Sequence, residues 1–182
     1  MTLTSWLDLV RTVAIASSAV FAAYQYYRGQ VWKKSEFTSG VMKDFFQQPR
    51  VRSALTMLDW AELPVELFPD QPERAQRSVV VTEAMIREAL RTHQERTDFN
   101  ETETAIRRSF DSLLFRLATY DHYVASGLIR DRDLQPYLGF WMRVALGREG
   151  AKGAAIQDAL WRYADFYRFS GAARLAARLG RA

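Results

Sequence analysis

The stretch NETETAIRRSFDSLLFRLATYDHYVASG, residues 100–127, decides the fold class. Apolar side chains recur at Ile106, Phe110, Leu113, Leu114, Leu117, Tyr120 and Val124, the spacing of one helical face held over about five turns. Asn100 with Glu103 three residues on forms a capping-box pair, because each side chain can satisfy a free backbone N–H of the other. Gly127 supplies the stop, since it takes the left-handed conformation that ends a helix without strain.

Working towards the C-terminus, the same period predicts a helix from about Leu134 through Leu138, Trp141 and Met142 to Gly147. Another follows through Ile156, Leu160, Tyr163 and Tyr167 to Gly171. Asp131 and Asp133 in IRDRDLQ share the alternation of a calcium loop. Pro136 stands where that loop needs Gly and Met142 where it needs a bidentate Glu, so they read as N-cap and first-turn residues. The tail WRYADFYRFSGAARLAARLGRA is too aromatic for an exposed helix. Its Leu175 and Leu179, among Arg174, Arg178 and Arg181, suit either an anionic membrane surface or docking on a bundle.

Towards the N-terminus, Val51, Ala54, Leu55 and Leu58 predict a short amphipathic helix with Pro49 in its first turn. AELPVELFPDQPER, with Pro64, Pro69 and Pro72, predicts a loop over 61–76. The run Val79, Val80, Val81 opens into TEAMIREALR and reads as a helix start. The fold class expected is all-α, a helical bundle over 35–182 preceded by an anchor and basic segment over 1–34.

That anchor is SWLDLVRTVAIASSAVFAAYQYYRGQVWKK, uncharged over 12–27. As a helix, Trp6 to Tyr27 crosses roughly 30 Å of hydrocarbon, which makes it a short but adequate transmembrane span. Trp6 at one end and Tyr24, Tyr26, Tyr27 and Trp32 at the other stand where amphipathic rings settle at lipid headgroups. Asp8 and Arg11 lie in the outer turns, where they can pair one turn apart. Arg28, Lys33 and Lys34 follow the span, and the excess of basic residues on that side predicts a cytoplasmic C-terminal domain. The membrane-interface residues are therefore Trp6, Tyr24, Tyr27, Arg28, Trp32, Lys33 and Lys34. An amphipathic or buried soluble helix and a cleaved signal peptide are the alternatives, the latter opposed by Asp8 where a positive charge belongs. Ala14, Ser18 and Ala22 repeat every fourth residue, a small-residue face for association with another helix.

Composition narrows the function. The 182 residues, 48% hydrophobic and 25% charged, suit one folded domain and exclude a polytopic membrane protein. The chain has no cysteine, hence no disulfide, thiol nucleophile or Cys-ligated zinc. The net charge of +4 is unevenly placed: basic over 28–52, acidic through Asp59, Glu62, Glu66, Asp70 and Glu73, then mixed, then basic again from Arg162. These arginines are too dispersed for a nucleic-acid groove, and no nucleic-acid partner is expected.

No catalytic, cofactor-binding or metal-ligating set is read. In TYDHY, Asp121 and His122 point about 100° apart on a helix and cannot act as two members of a triad. His93 in RTHQER lies near a helix end, suited to capping or solvent. Gly147, Gly150 and Gly153 follow a helix without the strand and Lys-Ser or Lys-Thr pair of a phosphate loop.

The N-terminal span, basic turn, proline-rich loop and FDSLLFRLATYDHYVASGLIRDRDLQPYLGFW together resemble uncharacterised bacterial membrane-tethered helical domains. The resemblance implies no activity and no site residue. The expected role is a non-enzymatic, single-pass module that presents helical surfaces to a cytoplasmic or membrane-protein partner or to a second copy, beside the lipid bilayer itself. The alternative is a membrane-tethered enzyme or effector with a site assembled from scattered polar residues.

Overall fold

The computed structural model describes residues 3–60, 62–150 and 153–181, without the side chains of 3–5 and 7–10. Their order is α1 (Leu3–Gln47), α2 (Pro49–Asp59), β1 (Leu63–Glu66), β2 (Ser78–Val81), α3 (Glu83–Ala89), α4 (Glu101–Ala125), α5 (Asp131–Ala145), α6 (Ala154–Phe166) and α7 (Ser170–Leu179). The fold is mostly helical, as the periodicity predicts. The chain divides into two units, Met1–Ser39 and Gly40–Ala182.

In the first unit, every side chain over 11–37 is exposed. Among the described residues no helix is both long and apolar enough to cross a membrane. The span read from the sequence also draws on Leu7, Leu9 and Val10, whose side chains are outside the description, as is the expected pairing of Asp8 with Arg11.

The second unit is built around α4. Its capping box is present: Asn100 Oδ1 accepts from the Glu103 N–H and Glu103 Oε2 from the Asn100 N–H, both at 2.9 Å. Ile106, Phe110, Leu113, Leu114 and Leu117 form its buried stripe. Removing Phe110 from water stabilises the fold by about 2–3 kcal/mol, which explains why this stripe organises its neighbours. Helices α2, α3 and α7 pack on α4, and α5 and α6 pack on α7. From residue 40 onward, α1 adds Met42 and Phe45 to this core.

The expected helix start at Val79–Val81 is corrected by the structure. These residues lie in β2, paired antiparallel with β1 in the register Leu63↔Val81 and Val65↔Val79. Branching at Cβ favours the extended chain, and the helix begins only after Thr82, whose Oγ1 accepts from the Met85 N–H at 3.3 Å. Pro64 is tolerated because a two-stranded sheet has only edges. Val65 and Val81 turn inward, and Ser53 Oγ of α2 donates to the Glu66 carbonyl at 2.8 Å. The prolines Pro69 and Pro72 occupy the connection between the strands rather than one long loop over 61–76.

The tail resolves in favour of docking. Leu175 and Leu179 are fully buried, so the apolar face of α7 lies on the bundle. Asp131 and Asp133 both fall in the first turn of α5, where Asp133 Oδ2 accepts from the Arg130 N–H at 3.1 Å.

Candidate functional site

The residues assigned to a membrane interface lie along the first unit's part of α1. Trp6 is 57% exposed and Trp32 66%, with Tyr24, Tyr26 and Tyr27 also open. The Arg28 guanidinium sits 5.9 Å from the Tyr24 ring centre, close enough for a cation–π contact. Lys33 and Lys34 are exposed. Ala14, Ser18 and Ala22 share one helical face, and the Ser18 hydroxyl is turned back onto the Ala14 carbonyl at 2.8 Å. Between the aromatic ends, Val13, Ile15, Val20 and Phe21 are each more than half exposed. Consecutive helix positions are turned about 100° apart, so Ala14, Ile15 and Ala16, and then residues 19–23, spread apolar surface round the whole circumference rather than along one stripe.

In the second unit the polar residues gather in places the sequence did not indicate. Asp121 is 4% exposed, and both of its oxygens are taken. Oδ2 accepts from Arg174 Nη2 and Oδ1 from Arg178 Nη2, each at 2.7 Å, while Arg178 Nε reaches Asp131 at 3.2 Å. The pair fastens α7 to α4 and α5. His122 faces outward.

His93 stands beyond α3, in the connection to α4, and takes part in a cluster around buried Arg107. Arg107 Nη1 donates to the carbonyls of Ala89 and Arg91, both at 2.6 Å, closing the end of α3. Its Nη2 donates to the Tyr167 hydroxyl at 2.9 Å. That oxygen also accepts from the His93 N–H at 3.2 Å and bonds to His93 Nδ1. Arginine only donates, so the Tyr167 oxygen is the acceptor for both Arg107 and the His93 N–H. The guanidinium carbon lies 4.1 Å from the Phe99 ring centre and 5.0 Å from that of Tyr163, so aromatic faces surround the buried cation. Sequence reading missed this because residues 93, 107 and 167 belong to three separate segments.

Tyr163 donates to Asp111 Oδ1 at 2.7 Å. Burial pushes the Asp111 carboxyl above the usual carboxylate range, against the opposing pull of the Tyr163 hydrogen bond, Arg107 and His93. The Tyr163 hydroxyl is also pushed up, first by burial and then by its bond to Asp111.

Asp111 borders a cleft of about 610 Å³ between the second unit's last turns of α1 and the outer face of α4. Asp44 and Val41 stand on the α1 side, Phe115, Tyr120 and Tyr123 on the α4 side, and Phe169 also lines it. Arg116 also lines it, held by the Gln48 side-chain carbonyl. A volume of this size suits a small organic molecule. Among the described residues no group of three or more His, Cys, Asp or Glu side chains is arranged to hold a metal ion.

No protein-family model, no curated protein and no solved structure matches the chain.

Proposed function

We propose that the protein is a non-enzymatic membrane-tethered module of bacterial type. In this reading the first unit crosses the bilayer once, and the helical second unit stands on the cytoplasmic side, where it presents its surfaces to a partner. The observation that carries the reading is the exposure of Val13, Ile15, Val20 and Phe21, with tryptophan and tyrosine at the ends of the run. A helix apolar all round is stable only in lipid or against other helices, whereas a helix lying on a membrane surface confines its apolar side chains to one face. Arg28, Lys33 and Lys34 support the orientation, since basic residues are retained on the cytoplasmic side. The face of Ala14, Ser18 and Ala22 supports association in the bilayer with a second copy or another membrane protein.

An enzyme built on Asp121 finds little support, because two arginines occupy that carboxylate. Carbonate extraction of native membranes, with protease protection of a C-terminal tag, tests the reading. Resistance to extraction and cleavage of the tag only in inverted vesicles are the results expected. Release by carbonate overturns the tether.

A further inference from the structure

The cleft beside α4 combines three features that together specify a ligand. Its walls are aromatic: Phe115, Tyr120, Tyr123 and Phe169 all border it, and Phe115 is 66% exposed although it is large and apolar. Its lining carries two carboxylates, Asp44 and Asp111, and one cation, Arg116, while buried Arg107 also acts on Asp111. Its carboxylates have bonding capacity to spare. Asp111 Oδ1 accepts from Tyr163, and among the described residues Oδ2 has no hydrogen-bond partner and Asp44 forms no ion pair.

A half-buried carboxylate with a free oxygen gains most from a cation brought against it, because solvent screens the pair poorly there. Exposed aromatic faces attract the same kind of group through their negative quadrupole, most strongly when the cation is weakly hydrated. Arg116 is turned elsewhere: its Nε donates to Gln48, and among the described residues it forms no ion pair with Asp44 or Asp111.

We infer that this cleft binds a small organic cation, an ammonium group on an apolar or aromatic body, with the charge at Asp111 and Asp44 and the body against Phe115, Tyr123 and Phe169. An anion is repelled by the two carboxylates, and a neutral apolar molecule leaves Asp111 Oδ2 without a partner. The inference rests on the second unit alone and is independent of whether α1 crosses a membrane.

Calorimetric titration of the full chain in detergent micelles tests it with benzyltrimethylammonium, neutral benzyl alcohol and anionic benzoate as probes. Saturable binding of the ammonium compound is expected, at least about tenfold tighter than that of either other probe. Asp111→Asn, whose amide oxygen can still accept from Tyr163, should weaken it about tenfold or more. Phe115→Ala removes an exposed side chain, so the fold is retained, and should weaken it by about three- to tenfold. Asp158→Asn, at an exposed position on α6, should leave it unchanged. Absence of saturable binding, equal binding of benzyl alcohol, or identical titrations for wild type and Phe115→Ala overturn the assignment. A response to a lysine-rich peptide and to no small cation also overturns it, transferring the cleft to a protein partner.

Discussion

Asp111 and Arg107 show how burial sets the behaviour of single side chains in the second unit. Because burial raises the folded-state pKa of Asp111, the folded chain binds its proton more readily than the unfolded chain does. The penalty for ionising it is absent below the unfolded pKa and complete above the folded one. Urea unfolding of wild type and Asp111→Asn across pH 4–7 should therefore show the variant gaining on the wild type as pH rises. A gap constant with pH would contradict this. Arg107 poses the opposite case, a buried cation that forms no salt bridge among the described residues and is held by two carbonyls, the Tyr167 hydroxyl and aromatic faces. Arg107→Met leaves those carbonyls unpaired and should cost about 2–4 kcal/mol in chemical denaturation. Neither role was legible beforehand. In the sequence Arg107 is one more position on a helix and His93 a capping candidate, since the groups that meet them come from α3's end and from beyond α6.

At the scale of the element, what is local was readable and what is paired at a distance was not. The capping box of α4 needs only residues 100 and 103, and its stripe only the helical repeat, so both stand in the sequence as in the fold. The hairpin needs Leu63–Glu66 to find Ser78–Val81 across an intervening connection, and nothing within Val79–Val81 names that partner. The sequence leaves the docking of α7 open for a similar reason, because the acidic partner of Arg174 and Arg178 is Asp121 on α4. The α4–α7 crossing also depends on Gly171, where an added Cβ would lie 3.1 Å from Ala118 Cα. Gly171→Val should loosen that crossing and cost about 1–3 kcal/mol, read as a lower thermal midpoint with faster amide exchange in α7. Unchanged exchange in α7 would show that the close approach does not matter.

At the scale of the whole molecule, the chain joins two units of different character. The second hides most of its large aliphatic side chains in a continuous core around α4. The first leaves Val13, Ile15, Val20 and Val31 exposed, which only a further apolar environment makes stable. Composition and periodicity revealed this contrast early, because charge-free length and aromatic ends are properties of a single continuous segment. The cleft was illegible at that stage, as Asp44, Asp111 and Phe169 lie far apart along the chain and only folding brings them to one groove. The natural absence of cysteine makes the tether directly measurable, since single cysteines can be placed at Ala19, mid-run, and at Ser35, beyond the basic turn. Both variants are then exposed to a membrane-impermeant maleimide in sealed vesicles of each orientation. The tethered account predicts that Ala19→Cys resists labelling in both, whereas Ser35→Cys is labelled only in inverted vesicles. Labelling of Ala19→Cys as fast as Ser35→Cys would contradict it.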